Sequence, residues 1–237
     1  MIRLAAVADI HLGLDSHGVF DDLREELEHS SDLFVIAGDI TRHGTAEEAK
    51  VAGAELSSLT VPTVAILGNH DHHSGEEREV RAILEDSGVT MLENESTIIE
   101  VDGTTVGVAG HKGFGGGFLG ACGSDFGETE MKAFVRHTMR GAHRFGEVLS
   151  ELETEVKIAA VHYAPIEETL EGERLEIFPF LGSYLLGQAI DSGGADLAIH
   201  GHAHAGKERG TTPGGVPVRN VAQAVIGRPF KVYELGA

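Results

Sequence analysis

Cysteine is nearly absent from the sequence: Cys122 is the single thiol among 237 residues. One thiol excludes an intrachain disulfide, and it argues against a structural zinc site built from several cysteine ligands. The fold must therefore be stabilised by an ordinary hydrophobic core, which a chain of this length can form.

Basic residues are scarce as well. The sequence has 18 lysines and arginines against 38 aspartates and glutamates, which gives a formal net charge of −20. Such an acidic surface repels the phosphate backbone of nucleic acids, so we expect no extended nucleic-acid partner. The charge favours solubility and is compatible with bound cations.

Long hydrophobic runs are also missing. No stretch approaches the roughly 18 consecutive apolar residues of a membrane helix. Residues 1–8 predict a strand rather than a signal peptide. We therefore expect no membrane partner and a cytoplasmic location, which the lone cysteine also fits.

What the sequence does contain is a series of short apolar runs that alternate with helical segments. Strands are predicted at residues 2–8, 32–37, 62–67, 156–161 and 195–199, and helices at 21–29, 45–58, 74–87, 129–152 and 183–191. Nearly all-apolar strands of this kind are typical of parallel sheets covered on both faces. A turn at Asp102-Gly103 predicts an antiparallel hairpin, and the tail predicts strands at 207–211, 216–221 and 230–235. We predict one α/β domain over residues 1–237, with no cap domain.

Polar side chains of metal-ligand type follow five of these apolar runs. In chain order they are Asp9 and His11, Asp39, Asn69 and His70, His162, and His202 and His204. Since ligands of α/β sheets bind beyond the carboxyl ends of the strands, we expect these side chains to meet. Because side chains alternate along an extended segment, Asp9 and His11 should point the same way, and so should His202 and His204.

The nitrogen and oxygen donors of this set suit divalent manganese, iron or zinc. The candidate metal ligands are Asp9, His11, Asp39, Asn69, His162, His202 and His204. They are too many for one tetrahedral ion. The set suits two divalent ions that share a bridging carboxylate.

The motifs also resemble a known family. Asp9-x-His11, Gly38-Asp39, Gly68-Asn69-His70-Asp71, His162 and Gly201-His202-Ala203-His204 are similar, in this order, to the signature of the calcineurin-like metallophosphoesterases. The resemblance implies a four-layer α/β/β/α sandwich of two mixed sheets flanked by helices. It also implies that one ion is bound by Asp9, His11 and His204, that the other is bound by Asn69, His162 and His202, and that Asp39 bridges them.

Phosphate ester hydrolysis is the activity that this resemblance implies. Two cations about 3.5–4 Å apart lower the pKa of a bridging water, so we expect a metal-bridging hydroxide to attack a small phosphodiester or phosphomonoester. His70 is expected to stand beside the metals and to protonate the leaving oxygen as a general acid. Asp71 is expected to assist by orienting a neighbouring histidine.

Three further residues are candidate substrate contacts: Arg42, His73 and His111. Some phosphatases of the family have an aspartate three residues after the Gly-Asp block and then an arginine, whereas this sequence has Arg42 followed by His43. Arg42 is therefore either a phosphate contact or a solvated side chain. One of His72 and His73 is expected to line the pocket. His111 ends a predicted strand at a similar height, as a contact or as a structural residue.

Other interpretations remain open. The chain could be a non-enzymatic scaffold of the same fold, although scaffolds typically lack the acid histidine or a metal ligand. It could also be a mononuclear metallohydrolase, which would leave several of the donors unexplained. The glycine-rich segment at residues 113–123 is either a lid or a surface loop. The natural substrate and the oligomeric state stay open.

Overall fold

Short apolar runs form the strands, and amphipathic segments form the helices between them. The computed structural model describes residues 1–236. The strands are β1 (Ile2–Val7), β2 (Leu33–Ala37), β3 (Thr63–Ile66), β4 (Thr90–Met91), β5 (Glu95–Val101), β6 (Thr104–His111), β7 (Gly117–Phe118), β8 (Ala121–Cys122), β9 (Val156–Val161), β10 (Leu197–His200), β11 (Arg209–Thr211), β12 (Pro217–Asn220) and β13 (Lys231–Leu235). The helices are α1 (Arg24–Ser30), α2 (Ala46–Leu56), α3 (Glu77–Asp86), α4 (Thr129–Glu151), α5 (Phe178–Leu181), α6 (Tyr184–Gly193) and α7 (Gln223–Ile226).

The strands form two mixed sheets. The first has the order β13-β1-β2-β3-β4, with β1 to β4 parallel and β13 antiparallel to β1. The second has the order β11-β12-β10-β9-β6-β5, with a parallel centre and antiparallel pairs at both edges. The edge pair β5–β6 is the hairpin predicted from the turn at Asp102-Gly103.

Alternation along the strands separates the core into layers. In β1, Leu4 and Ala6 belong to the apolar layer between the two sheets, whereas Ala5 and Val7 belong to the layer that α1, α2 and α3 cover. The outer face of the second sheet is covered by α4 and α6. This arrangement confirms the four-layer α/β/β/α sandwich.

Several short elements were not predicted, namely β4, α5, α7 and the small hairpin β7–β8. They have too few residues for a hydrophobic period, and their conformation depends on partners distant in sequence. The hairpin lies within residues 113–123, where a loop was predicted. Gly116 N donates to Pro179 O at 2.7 Å and Gly117 N donates to Gly182 O at 2.9 Å, so backbone hydrogen bonds tie this segment to α5 and the residue after it.

Within residues 1–236, none of the helices combines the length and the apolar composition needed to cross a bilayer.

Candidate active site

The carboxyl ends of parallel strands from both sheets lie next to one another. Asp9, Asp39 and Asn69 follow β1, β2 and β3 of the first sheet, and His162 and His202 follow β9 and β10 of the second. Backbone hydrogen bonds hold neighbouring strand ends together: Asp9 N donates to Gly38 O at 3.0 Å, and Gly201 N donates to His162 O at 3.2 Å. The ends of five strands therefore form the floor of the site.

Donor atoms at this floor fall into three overlapping sets, and within each set they lie within 4.8 Å of one another. The sets are Asp9, His11 and His204; Asp9, Asp39 and His162; and His11, Asp39 and His70. Asn69 joins them because its Oδ1 lies 2.9 Å from His162 Nε2. The His202 ring lies 5.0 Å from the His162 ring, measured between centroids. The structure thus brings all seven candidate ligands and His70 together.

Backbone carbonyl groups orient three of the histidine rings. A carbonyl oxygen can only accept, so the ring nitrogen that faces it is the donor. The contacts are His162 Nδ1 to Ala37 O at 2.9 Å, His70 Nδ1 to Arg42 O at 2.8 Å and His202 Nε2 to Phe180 O at 3.3 Å. At His162 and His70 the second ring nitrogen faces the cluster, with Nε2 2.9 Å from Asn69 Oδ1 and 4.0 Å from Asp39 Oδ2 respectively, and a histidine ring oriented in this way by a carbonyl group is usual among metal-binding histidines.

Burial and neighbouring charges shift the pKa values of the aspartates and histidines in the cluster. Burial would raise the pKa of Asp39, but the charge and hydrogen bond of His162, together with the His70 backbone N–H and the His70 charge, lower that pKa below its ordinary value. Burial would likewise raise the pKa of Asp9, but the hydrogen bond from His204 and the charges of His162 and His204 together lower it. Burial would lower the pKa of His162, but the charge and hydrogen bond of Asp39, with the charge of Asp9 and the contact with Ala37 O, together raise it to about 9. Burial, with the nearby His162 charge, lowers the pKa of His202 to about 3.

A cation fits this donor set. Asp9 and Asp39 are both buried, and within residues 1–236 the cationic side chains within 4.0 Å of their carboxylates are histidines, with no lysine or arginine among them. In the same part of the chain, the buried Nδ1 of His11 has no hydrogen-bond partner. Two buried negative charges are costly without positive charge beside them, which protonated histidines supply in the metal-free protein and a bound cation would supply in their place.

Four of the candidate ligands have a left-handed backbone, with φ of 60° at Asp9, 47° at His11, 53° at Asp39 and 68° at His202. Such residues cost about 1–3 kcal/mol each and cluster at functional sites. They also correct one expectation, because alternation along an extended strand does not apply to them. His204 contacts Asp9, with 2.9 Å from its Nε2 to Asp9 Oδ1, whereas His202 lies against His162.

Glycines in two of the motifs make room for carboxylates from other strands. A Cβ atom at Gly68 would collide with the carboxylate of Asp39, and one at Gly201 would collide with the carboxylate of Asp9. The space that these glycines leave is therefore occupied by a candidate ligand of a neighbouring strand end.

Asp71 does not orient a histidine, which corrects the expectation from the sequence. Its carboxylate is fully buried and accepts hydrogen bonds from Ile40 N, Thr41 N, Thr41 Oγ1 and Gly68 N at 2.6–3.1 Å. Burial and the charge of Asp39 raise the pKa of Asp71, while the four donors favour its ionised form. Asp71 therefore ties the segment after β2 to the segment after β3.

His111 is a structural residue rather than a substrate contact. Its ring is buried, and its Nδ1 lies 2.6 Å from Glu93 Oε1. Its Nε2 faces Gly141 of α4, where a Cβ atom would be 2.7 Å away. The helix therefore closes the side of His111 that a substrate would need.

Arg42 and His73 lie outside the donor sets. The Arg42 guanidinium forms an ion pair with Asp15 at 3.0 Å, and both side chains are exposed. The exposed His73 ring lies 6.4 Å from His43 between ring centroids. His72 is the less exposed residue of the pair His72 and His73, and burial, with the charge of Lys112, lowers its pKa.

Sequence reasoning missed Lys112. Its carbonyl oxygen accepts hydrogen bonds from His162 N at 3.0 Å and from Tyr163 N at 3.1 Å. Lysine is not among the residue types expected to bind a metal here, so the pattern of candidate ligands does not include it. The available signal was its position, because it follows β6, the strand beside β9, whose end carries His162.

Comparisons with known proteins agree with this geometry. The family model of the calcineurin-like phosphoesterases matches residues 2–206. No curated protein sequence matches the chain. Among solved structures, phosphopantetheinyl hydrolase (PptH) from Mycobacterium tuberculosis is similar with a TM-score of 0.71 and 15% identity, over 98% of each chain.

A second solved structure is the NAD nucleotidase (NadN) of Haemophilus influenzae. It is similar with a TM-score of 0.54 and 14% identity, over 98% of this chain and 49% of that one. At these identities the structural matches establish the fold, and the family model, which spans most of the chain, establishes the family. The chain belongs to the calcineurin-like phosphoesterases and is a phosphoester-hydrolysing enzyme of this metal-dependent family.

Proposed function

We propose that this enzyme hydrolyses a small phosphodiester or phosphomonoester with two divalent metal ions held at the ends of the strands. The observation that carries the proposal is the convergence of the seven candidate ligands, two of which are the buried carboxylates of Asp9 and Asp39. One ion is assigned to Asp9, His11 and His204, and the other to Asn69, His162 and His202. Asp39 is assigned as the bridge from the resemblance to the family signature, and its carboxylate contacts one ligand of each group, with 3.9 Å from Oδ2 to His11 Nε2 and 3.4 Å from Oδ1 to His162 Nε2. Manganese, iron or zinc suits these ligands.

The bound ions supply a water of lowered pKa and positive charge for the phosphoryl oxygens. The chain supplies the acid. His70 donates from Nδ1 to Arg42 O, so its Nε2 faces the cluster, 4.0 Å from Asp39 Oδ2. The ring is half-exposed, which lets a leaving group reach it. A proton on His70 Nε2 is therefore placed for transfer to the leaving oxygen.

Phe180 contacts the cluster and also lines a cavity, in which we place a small organic leaving group. Phe180 accepts the hydrogen bond of His202 through its carbonyl group, and its side chain is exposed. Next to it lies a cavity of about 420 Å³ whose lining includes Met131, Phe134 and Pro179. The acidic surface disfavours an extended polyanion, so a small-molecule ester fits the site better than a nucleic acid.

Metal content tests the dinuclear centre. We expect two ions per chain in the purified enzyme by elemental analysis, and metal-dependent hydrolysis of bis-aryl or aryl phosphates. Asp39→Ala should lose both ions, because both depend on its carboxylate, whereas Asp86→Ala at the exposed end of α3 should keep them. One ion per chain in the wild type would favour a mononuclear hydrolase, and two ions retained in Asp39→Ala would contradict the bridge.

The acid role is separable from metal binding. His70→Ala should lower kcat by a factor of about 10²–10⁴ while the metal content stays at the wild-type value. The control is His143→Ala, which removes a histidine exposed on α4. Steady-state kinetics beside elemental analysis checks this, and wild-type kcat in His70→Ala would remove the acid role.

The stabilisation that the metals confer should grow with pH. In the metal-free protein the pKa of His162 is raised from 6.5 to about 9. Its protonated ring therefore stabilises the fold fully below pH 6.5, and this contribution is lost as the pH rises through about 9. A metal requires the neutral ring.

Thermal unfolding with metal and with chelator, between pH 6.5 and 9, measures the effect. The difference in Tm should widen over this window, and Asp39→Ala should show no difference at any pH. A difference that is flat or narrows as the pH rises would contradict the assignment of His162 as a ligand.

Asp71 is assigned to positioning, so its replacement should change stability before it changes chemistry. In Asp71→Asn an amide NH₂ group replaces one carboxylate oxygen, so the backbone N–H groups on that side lose their acceptor. Hydrogen bonds to charged groups contribute roughly 1.5–3 kcal/mol each. We therefore expect the free energy of unfolding to fall by about 2–4 kcal/mol. Urea denaturation of the metal-free protein gives the value, with Asp86→Asn as the control. Unchanged stability with lost turnover would return Asp71 to a catalytic role.

A further inference from the structure

The ammonium group of Lys112 is separated from the cluster by one aromatic ring, that of Tyr163. Its Nζ lies 5.2 Å from the centroid of the Phe114 ring and 5.2 Å from that of the Tyr163 ring. The Tyr163 ring in turn lies 4.3 Å from the His202 ring between centroids. The cation thus lies over two adjacent aromatic rings, whose centroids are 5.8 Å apart, and one of these rings contacts a candidate metal ligand.

The backbone of Lys112 is fixed from both sides. Glu93 accepts the Lys112 backbone N–H at 3.0 Å with one carboxylate oxygen and contacts His111 with the other. The Lys112 carbonyl accepts from the backbone of His162 and Tyr163. The residue that carries the ammonium is therefore held by the strand end that also carries a candidate metal ligand.

The ammonium group itself is short of partners. Within residues 1–236, Lys112 Nζ donates to Gly113 O at 3.2 Å and has no carboxylate within 4.0 Å. An ammonium has three donors. Burial lowers the pKa of Lys112, and the charges of Glu93 and Asp39 oppose this effect. A half-buried cation with donors to spare, close to the cluster, suits an anionic ligand.

We propose that the ammonium group of Lys112 binds an anionic phosphate oxygen of the substrate at the edge of the cluster. The rings of Phe114 and Tyr163 cover one side of the ammonium group, and the lower local dielectric on that side strengthens the contact. The inference rests on the proposed function, because it assigns Lys112 to the substrate of the same site. The phosphate oxygen belongs either to the phosphoryl group that is cleaved or to a second phosphate attached to it.

Binding and turnover are measured together on the metal-loaded enzyme. The probes are orthophosphate and pyrophosphate, bound at a fixed concentration of free metal and followed by titration calorimetry, and bis(4-nitrophenyl) phosphate for kinetics. The variants are Lys112→Met, Lys112→Gln as a second charge-removing change, and Lys112→Arg as the conservative one. Lys50→Met removes a charge from the exposed face of α2 and is the matched control.

We expect Lys112→Met and Lys112→Gln to weaken phosphate binding and to raise KM by about tenfold or more. A hydrogen bond to a charged group contributes roughly 1.5–3 kcal/mol, and about 1.4 kcal/mol corresponds to a tenfold change in affinity. Lys112→Arg should restore most of the affinity, Lys50→Met should match the wild type, and metal content should stay constant. Equal weakening for both probes assigns the contact to the cleaved phosphoryl group. Weakening for pyrophosphate alone assigns it to a second phosphate.

The proposal is overturned if folded Lys112→Met and Lys112→Gln bind both probes as the wild type does. Failure of the proposed function has a different signature, namely no metal-dependent turnover in the wild type. Phosphate binding that depends on Lys112 would still be measurable in that case, so the two failures can be told apart.

Discussion

Two buried carboxylates are the constraint around which this molecule is arranged. Asp9 and Asp39 lie at the ends of adjacent parallel strands, with histidines as their nearest cationic partners in residues 1–236. Burying a charge is tolerable only when it is paired and hydrogen-bonded. The chain meets part of this need with backbone: His70 N donates to Asp39 Oδ1 at 2.8 Å, and His202 N donates to Asp9 Oδ2 at 3.0 Å. Each motif therefore supports the carboxylate of another motif.

The same constraint explains why two sheets are needed. The first sheet contributes Asp9, Asp39 and Asn69, and the second contributes His162 and His202. The hydrogen bond from His162 Nδ1 to Ala37 O joins the end of β9 to the end of β2 across the layer between the sheets. The apolar packing of that layer thus sets the distance between donors from different sheets, so the geometry of the site depends on the hydrophobic core.

The alternation of strands and helices in the first half, the central hairpin and the metal-type residues at the strand ends were predictable because each follows from a local pattern. Asp71 was misassigned, and the sequence left the role of His111 open, because the direction of a side chain beyond a strand end depends on turns and on packing from distant helices. Gly141 of α4 packs against the ring of His111, and no residue near position 111 in the sequence indicates this contact. The left-handed backbone at Asp9 and His202 could not be predicted from the sequence either. The donors therefore converge because of these turns and not because side chains alternate along a strand.

An acidic protein that acts on an anion needs its positive charge concentrated where the substrate binds. At an ionic strength of 0.15 M the Debye length is about 8 Å, so most of the −20 surface charge is screened from a phosphate within the site. In the function and the contact proposed above, such a phosphate meets a local field set by the metal bound at Asp9 and Asp39, by His70 and by the ammonium group of Lys112. Distant acidic residues can therefore maintain solubility and repel long polyanions without preventing a small phosphate ester from binding.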